Sequence, residues 1–124
     1  MTRTDKKVSY SPTGKPEDVT PEMAAQGIDE VFRILDGRWK MLILFQLFAG
    51  GVRRFSELER AIPAVSQKML AQHLRELERD GVVARKVHPE VPPKVEYQLT
   101  EWGAALCPAL DMLLEWRAGK GESR

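Results

Sequence analysis

The chain has 124 residues, 43% hydrophobic and 30% charged, which is typical of one soluble globular domain with a single modest core. Its formal net charge of +1 excludes a polycation, so any binding to nucleic acid must depend on local charge. One cysteine, Cys107, excludes an internal disulfide, and no apolar run reaches the roughly 20 residues of a membrane span. The N-terminus lacks the apolar stretch of a secretory signal, and we expect a cytoplasmic protein with no membrane partner.

The N-terminal part predicts a polar arm followed by two helices. Residues 1–19 are rich in Lys, Ser, Thr and Pro, so we expect a mobile arm. Thr20-Pro21-Glu22 combines a capping hydroxyl, a first-turn proline and an acid, which predicts a helix that begins there and ends at Asp36-Gly37. Arg38 to Phe48 predicts a second, very apolar helix that is closed by Gly50-Gly51.

The middle of the chain predicts two helices joined by a tight turn. Arg53-Arg54 is too short for more than a brief extended segment. Ser56 with Glu59 fits a capping box, which predicts a helix from Ser56 to Ala61. After the turn Ile62–Val65, Ser66 should cap a longer helix that runs to about Asp80, with Gly81 as its left-handed stop.

The C-terminal part predicts a hairpin and one more helix. Val82–Val87 and Val95–Leu99 resemble strands, and the proline-rich loop between them contains the predicted wing, residues 88–94. Thr100 should cap a last helix from Glu101 to about Arg117, and residues 119–124 should fray. This order indicates a mainly α fold with a small β-hairpin: a winged helix-turn-helix domain over residues 20–118, with N- and C-terminal dimerisation helices.

The second helix of the pair predicts a DNA-binding surface. Leu70, Leu74 and Leu77 share one side, and the opposite side carries four polar residues that we call the cationic face: Lys68, Gln72, Arg75 and Arg79. Arg and Gln match base edges in the major groove, and Lys suits phosphate. Any solvated helix can carry such residues, but nine basic and six acidic residues between Arg53 and Lys94 leave a local charge of +3. The predicted DNA-binding residues are Arg54, Ser66, Gln67, Lys68, Gln72, Arg75, Arg79, Lys86, His88 and Lys94.

The wing predicts a further contact with the DNA backbone or minor groove. Three prolines stiffen its loop, and Lys86, His88 and Lys94 stand close to it in the sequence. His88 is expected to be solvated or to face a phosphate. The alternative is a plain stabilising hairpin with incidental charge.

The last helix predicts a homodimer, because apolar residues cover more than half of its circumference. A helix at the rim of a small monomer needs an apolar stripe of only about 100°. The alternative is that both terminal helices close the monomer core. The predicted interface residues are Met23, Ile28, Phe32, Trp102, Leu106, Leu110, Leu113, Leu114 and Trp116.

Few residues suggest other chemistry. Cys107 and His73 are expected to be packing residues, and two histidines with one cysteine show no metal-ligand spacing. No Gly-rich phosphate loop and no nucleophile with a nearby base is recognisable, so we expect neither an enzyme nor a cofactor.

Several motifs together resemble those of the HxlR-type winged helix-turn-helix transcription regulators. They are GRW, RRFSEL, IPAVSQKML, LRELERDGVV, HPEVPPKVEYQLT and EWG, within residues 28–117. The resemblance implies a homodimeric DNA-binding regulator with its second helix in the major groove and the wing beside it. Many members of that family sense oxidants through a cysteine about a dozen residues before the Trp of GRW, but Ala25-Gln26-Gly27-Ile28 contains no thiol here.

The sequence therefore predicts sequence-specific binding to double-stranded DNA as a homodimeric transcription regulator, with helix 66–80 in the major groove and an inverted-repeat operator. The alternative is a winged-helix module that binds another protein without reading DNA. The sequence identifies no small-molecule effector; if an aromatic one binds, the interface of the terminal helices is where we expect it.

Overall fold

The computed structural model describes residues 19–122, with side chains as far as Lys120. Within that range the elements are α1 (Pro21–Ile34), α2 (Arg38–Gly50), β1 (Arg53–Arg54), α3 (Phe55–Ala61), α4 (Gln67–Arg79), β2 (Val83–His88), β3 (Lys94–Leu99), α5 (Glu101–Ala104) and α6 (Leu106–Glu122). The predicted arm at 1–19 lies outside the described residues except for Val19, as do the last two residues of the predicted tail. The chain divides into two units, Met1–Asp36 and Gly37–Arg124.

Helix α1 is the described element of the first unit, and its start is as predicted. The Thr20 hydroxyl accepts a hydrogen bond from the Met23 N–H at 3.1 Å, with Pro21 and Glu22 in the first turn. A capping oxygen satisfies one of the backbone donors that every helix leaves free at its start. No residue of α1 is buried.

The core of the second unit is formed mainly by α2, α3, α4 and the start of β2. Its buried apolar side chains are Ile43, Leu44, Leu47, Leu58, Ile62, Leu70, Leu74, Leu77, Val82, Val83, Tyr97 and Leu110. Helix α2 contributes three of them from a nearly continuous apolar sequence, as expected for a helix inside a small domain. The three leucines of α4 are fully buried, which confirms the predicted anchoring stripe.

The sheet has three strands instead of the predicted two, in the order β1-β3-β2. Strands β2 and β3 form the expected antiparallel hairpin, with Lys86 opposite Glu96. Strand β1 pairs with the other edge of β3, where Arg54 also lies opposite Glu96. Two residues cannot show the alternation that marks a strand, and the partner of β1 is far along the chain. This pairing therefore has no local signal in the sequence.

The helix pair α3 and α4 departs from the prediction only at its beginning. Helix α3 starts at Phe55, and the Arg54 N–H donates to Glu57 Oε1 at 2.7 Å, so the predicted capping pair of Ser56 and Glu59 is wrong. Because β1 ends at Arg54, the helix begins directly at the end of the strand. Helix α4 starts as predicted, since Ser66 Oγ accepts from the Met69 N–H at 3.1 Å. It is followed by Gly81 at φ +82°, which confirms the left-handed stop.

The predicted last helix is two helices, α5 and α6, interrupted at Ala105. Pro108 explains the break, because it has no N–H to donate to the carbonyl of Ala104 and its ring clashes with that group. The predicted cap is confirmed: Thr100 Oγ1 accepts from the Gly103 N–H at 2.9 Å. Helix α6 then continues to Glu122 instead of ending near Arg117.

Candidate nucleic-acid interface

The cationic face of α4 is exposed to solvent. Lys68, Gln72, Arg75 and Arg79 are all exposed, on the side of the helix opposite to Leu70, Leu74 and Leu77. The Arg79 side chain is 72% exposed, and its Nε lies 3.8 Å from Asp80 Oδ1. Neither Lys68 nor Arg75 forms an ion pair of 4 Å or less with a described residue. The long basic side chains of Lys68, Arg75 and Arg79 are thus available together as hydrogen-bond donors on one helix surface.

The first residues of α4 have different environments. The Ser66 hydroxyl oxygen caps the helix by accepting a hydrogen bond. Its predicted role in DNA binding is therefore limited to a hydrogen bond donated by its O–H. Gln67 is the first helical residue and is exposed. Together with Lys68, it lies at the helix end that carries free backbone N–H groups, which favours a nearby phosphate.

One ion pair beneath the cationic face was missed by the sequence reasoning. Lys40 of α2 is only 6% exposed, and its Nζ lies 2.8 Å from Glu76 Oε1 on α4. Gln72 Nε2 donates to the other carboxylate oxygen, Glu76 Oε2, at 3.3 Å. The Lys40 ammonium and then the Gln72 amide lower the pKa of Glu76 to about 2. The available signal was a lone lysine within the apolar sequence of α2.

His73 lies next to this pair and is packed, as predicted. Its side chain is 13% exposed, and Nδ1 is 3.7 Å from Glu76 Oε1, which is too long for a hydrogen bond. Neither ring nitrogen has a hydrogen-bond partner among the described residues.

Four of the predicted DNA-binding residues lie on one face of the sheet around a single carboxylate. Arg54 and Lys86 stand opposite Glu96 on its two sides, and His88 stands opposite Lys94 in the next row. Residues directly opposite each other, or two apart along a strand, share a face of the sheet. We call this set the sheet cluster: Arg54, Lys86, His88, Lys94 and Glu96. Its cations exceed its acids.

The environment of His88 differs from the first of its two predicted alternatives, solvation, and a phosphate contact stays a prediction. His88 is the last residue of β2 and is half-buried, not solvated, and its Nε2–H donates to Glu96 Oε1 at 2.7 Å. Lys94 Nζ lies 3.8 Å from Glu96 Oε2. The hydrogen bond from His88, and further the charge of Lys94, hold the pKa of Glu96 below its ordinary value against the effect of desolvation. Cross-strand pairing explains the difference, because it places Glu96 within reach of both side chains.

The wing loop extends beyond this cluster. Val91 is fully exposed, and the Val91–Pro92 peptide bond is cis. A cavity of about 490 Å³ separates the loop from the start of α3; its lining residues are Arg54, Phe55, Ser56, Glu90, Pro92, Pro93, Lys94 and Val95. The wing and the start of α3 therefore border one common groove, which carries Arg54 and Lys94.

Residues 34–124 match the HxlR-like helix-turn-helix family. The chain belongs to that family. The resemblance seen in the sequence motifs is therefore confirmed. Over 91 residues the chain is 50% identical to the HTH-type transcriptional regulator YtcD of Bacillus subtilis (strain 168). The aligned residues cover 73% of this chain and 71% of YtcD.

Solved structures agree with a winged helix-turn-helix fold for this HxlR-like chain. A transcriptional regulator of the MarR family from Enterococcus faecalis V583 superimposes with a TM-score of 0.78 at 35% identity, over 86% of this chain and 96% of that one. The redox regulator HypR in its reduced form gives a TM-score of 0.68 at 39% identity, over 78% of this chain and 93% of that one. The predicted winged helix-turn-helix fold is confirmed, and the dimerisation role of the terminal helices stays a prediction.

The single thiol of this HxlR-like chain is on the last helix and forms no disulfide. Cys107 is near the start of α6 and is half-buried. In the described part of the chain, no group of three or more His, Cys, Asp or Glu side chains could hold a metal ion. Among the same residues, no helix is long and apolar enough to cross a membrane.

The terminal helices expose large apolar side chains. On α6, Leu113, Leu114 and Trp116 are exposed, the last by 79%, and Trp102 of α5 is exposed by 61%. Of the other predicted interface residues on this helix, Leu110 is buried within the chain at 5% exposure and Leu106 is half-buried. Leu110 therefore offers almost no surface to a partner. On α1, the exposed apolar residues include Met23, Ile28 and Phe32.

Proposed function

We propose that this HxlR-like chain is a transcription regulator that binds double-stranded DNA in a sequence-specific way as a homodimer. Helix α4, with its capping residue Ser66, would lie in the major groove, and the wing at 88–94 would lie along the backbone or in the minor groove. The single observation that carries the proposal is the exposed cationic face opposite three fully buried leucines. Relatives such as YtcD are named transcriptional regulators, which supports a binding role in preference to an enzymatic one.

The chemistry of the cationic face suits base recognition in the major groove. Arg75 and Arg79 carry forked donors that match guanine, Gln72 carries a donor and an acceptor that match adenine, and Lys68 suits a phosphate. The sheet cluster adds Arg54 and Lys86 for backbone contacts. Because Glu96 accepts the hydrogen bond of His88 and neutralises part of the charge of Lys94, we assign those two residues a weaker share of the phosphate contacts.

The homodimer is supported by the unpaired apolar surface of α6. A row of exposed side chains that includes Met112, Leu113 and Trp116 is costly in water. A second copy that covers it would place two α4 helices roughly 34 Å apart for binding to one face of the duplex, which predicts an inverted-repeat operator. DNA binding also implies a cytoplasmic location.

The decisive experiment measures the affinity for a duplex selected from random sequences at increasing salt. A dimer that contacts many phosphates should lose roughly a thousandfold or more in affinity between 50 and 200 mM salt. The selected sites should share a two-fold symmetric motif. If no motif is enriched and no salt-dependent binding occurs, the protein is not a DNA-binding regulator.

The second candidate is a winged-helix module that binds another protein. It is favoured only by the exposed apolar side chains of α6, which a different chain could also cover. That alternative predicts a monomer in isolation and no duplex binding, so the same selection and a measurement of mass distinguish the two.

A further inference from the structure

We propose that Glu76 is a positioning residue that fixes which hydrogen-bonding atoms Gln72 presents to a base, and that the buried Lys40 holds Glu76 in that position. The inference rests on the proposed function, because it concerns a base contact made by the cationic face. It adds two residues that do not touch DNA, and it assigns a base preference to one that does.

The first step is the burial of Lys40. Its side chain is 7% exposed on α2, and an unpaired ammonium group at such a depth would be strongly unfavourable. The carboxylate of Glu76, at 2.8 Å, is the group that compensates its charge. Glu76 is therefore held toward α2 and cannot turn freely into the solvent, although its own side chain is 26% exposed.

The second step is the orientation of the Gln72 amide. Glu76 is ionised at neutral pH, since its pKa is lowered to about 2, and an ionised carboxylate only accepts hydrogen bonds. The Gln72 atom that faces Glu76 Oε2 at 3.3 Å must then be the amide nitrogen. A turned amide would place its carbonyl oxygen against the carboxylate. The carbonyl oxygen and one N–H of Gln72 remain available for another partner.

The third step is the consequence for base choice. Adenine presents an N6 donor and an N7 acceptor in the major groove, whereas guanine presents two acceptors, O6 and N7. An amide that offers one acceptor and one donor matches adenine, and its carbonyl oxygen is repelled by guanine O6. We therefore infer that Gln72 reads adenine, and that it does so because Glu76 prevents the amide from turning.

The test is a selection of bound sites from random duplexes, followed by affinity measurements at one salt concentration. Gln72→Ala identifies the position that Gln72 reads, since only there should the preference disappear. At that position the wild-type chain should favour adenine over guanine by roughly tenfold, which lies within the range of a bidentate contact. Glu76→Gln and Lys40→Met should bind the selected duplex while their preference for adenine falls by about fivefold or more.

One control variant, together with Lys40→Met, makes the outcome unambiguous. Glu78→Gln removes the same charge from the same helix, but Glu78 pairs with Arg85 at 3.8 Å and not with Gln72, so it should keep the adenine preference. Lys40→Met tests the same inference without changing Glu76, so misfolding of the Glu76→Gln variant alone cannot decide the result. Methionine is an apolar side chain of similar length to lysine, and it replaces the buried charge. Retention of the full adenine preference in both Glu76→Gln and Lys40→Met, or a wild-type preference for guanine, overturns the inference. The absence of any selected motif overturns the proposed function instead.

Discussion

Lys40 Nζ of α2 lies 2.8 Å from Glu76 Oε1 of α4, so a nearly buried cation connects the apolar core helix to the helix that carries the cationic face. A buried pair of this kind contributes orientation more certainly than stability, because desolvation of both charges offsets much of their attraction. Four predictions follow from this pair and from the other contacts described.

Acid should weaken the contribution of Glu76 to stability. Its folded pKa of about 2 is below the ordinary 4.5, so the contribution is complete above pH 4.5 and is lost as the pH falls toward 2. Glu76→Gln should lower the free energy of unfolding by on the order of 2 kcal/mol at pH 7, and by much less near pH 2. Urea denaturation at both pH values measures the difference. If the difference in unfolding free energy between the wild type and Glu76→Gln is the same at both pH values, the assigned ion pair is contradicted.

Gly103→Ala should destabilise the fold. A Cβ at this buried position would overlap the carbonyl oxygen of Val82, which accepts a hydrogen bond from the Thr100 N–H at 3.1 Å. The backbone must then move, at a cost of about 1–3 kcal/mol. Gly119→Ala is the matched control, because an added Cβ there meets no atom within 4 Å and alanine favours the helix. Thermal unfolding of the two variants should shift in opposite directions; equal shifts would show that α5 does not dock closely on Val82.

Arg75→Ala and Lys68→Ala should weaken DNA binding in different ways. Arg75→Ala should cost roughly 1–3 kcal/mol on the selected duplex and relax the base preference at one position. Lys68→Ala should weaken all duplexes about equally and reduce the salt dependence, because it removes a phosphate contact. Arg117→Ala, which removes the same charge from exposed α6, is the control and should leave the base preference unchanged. Unaltered binding in both test variants would show that the cationic face does not contact DNA.

Trp116→Ser should shift the protein from dimer to monomer. Trp116 is 79% exposed and Leu113 is 56% exposed, so both side chains would gain most of their burial from a second copy in the proposed dimer. Light scattering at micromolar concentration should give about twice the chain mass of 14.1 kDa for the wild type and a lower mass for the variant. Val91→Ser changes an apolar residue of the wing that is fully exposed, and it should leave the mass unchanged. A wild-type mass of one chain excludes the proposed dimer.

The parts of the fold that the sequence predicted are those with local signals. Ser66 and Gly81 mark the two ends of α4 within a short stretch, and the leucine spacing identifies its buried side without reference to the rest of the chain. The exposure of the cationic face then follows from helical geometry alone. Capping and periodicity are properties of consecutive residues, so they can be read from one sequence.

The parts that it missed depend on residues far apart in the chain. Strand β1 is recognisable only through its pairing with β3, and the environment of His88 only through Glu96 on the neighbouring strand. The contact of Lys40 with Glu76 requires the packing of α2 on α4. The break before α6 is a different kind of error, because Pro108 was visible but the apolar pattern on both sides of it favoured one continuous helix.

Strand β1 ends at Arg54 and α3 begins at Phe55, so no linker separates the sheet from the helix pair. The wing and α4 are consequently held together by strand pairing and by the packing of α4 on β2, which set the span between them. A duplex whose grooves do not fit that span must itself bend or change its groove width, at an elastic cost that varies with its sequence. We therefore expect flexible pyrimidine–purine steps to be enriched at operator positions that no side chain touches.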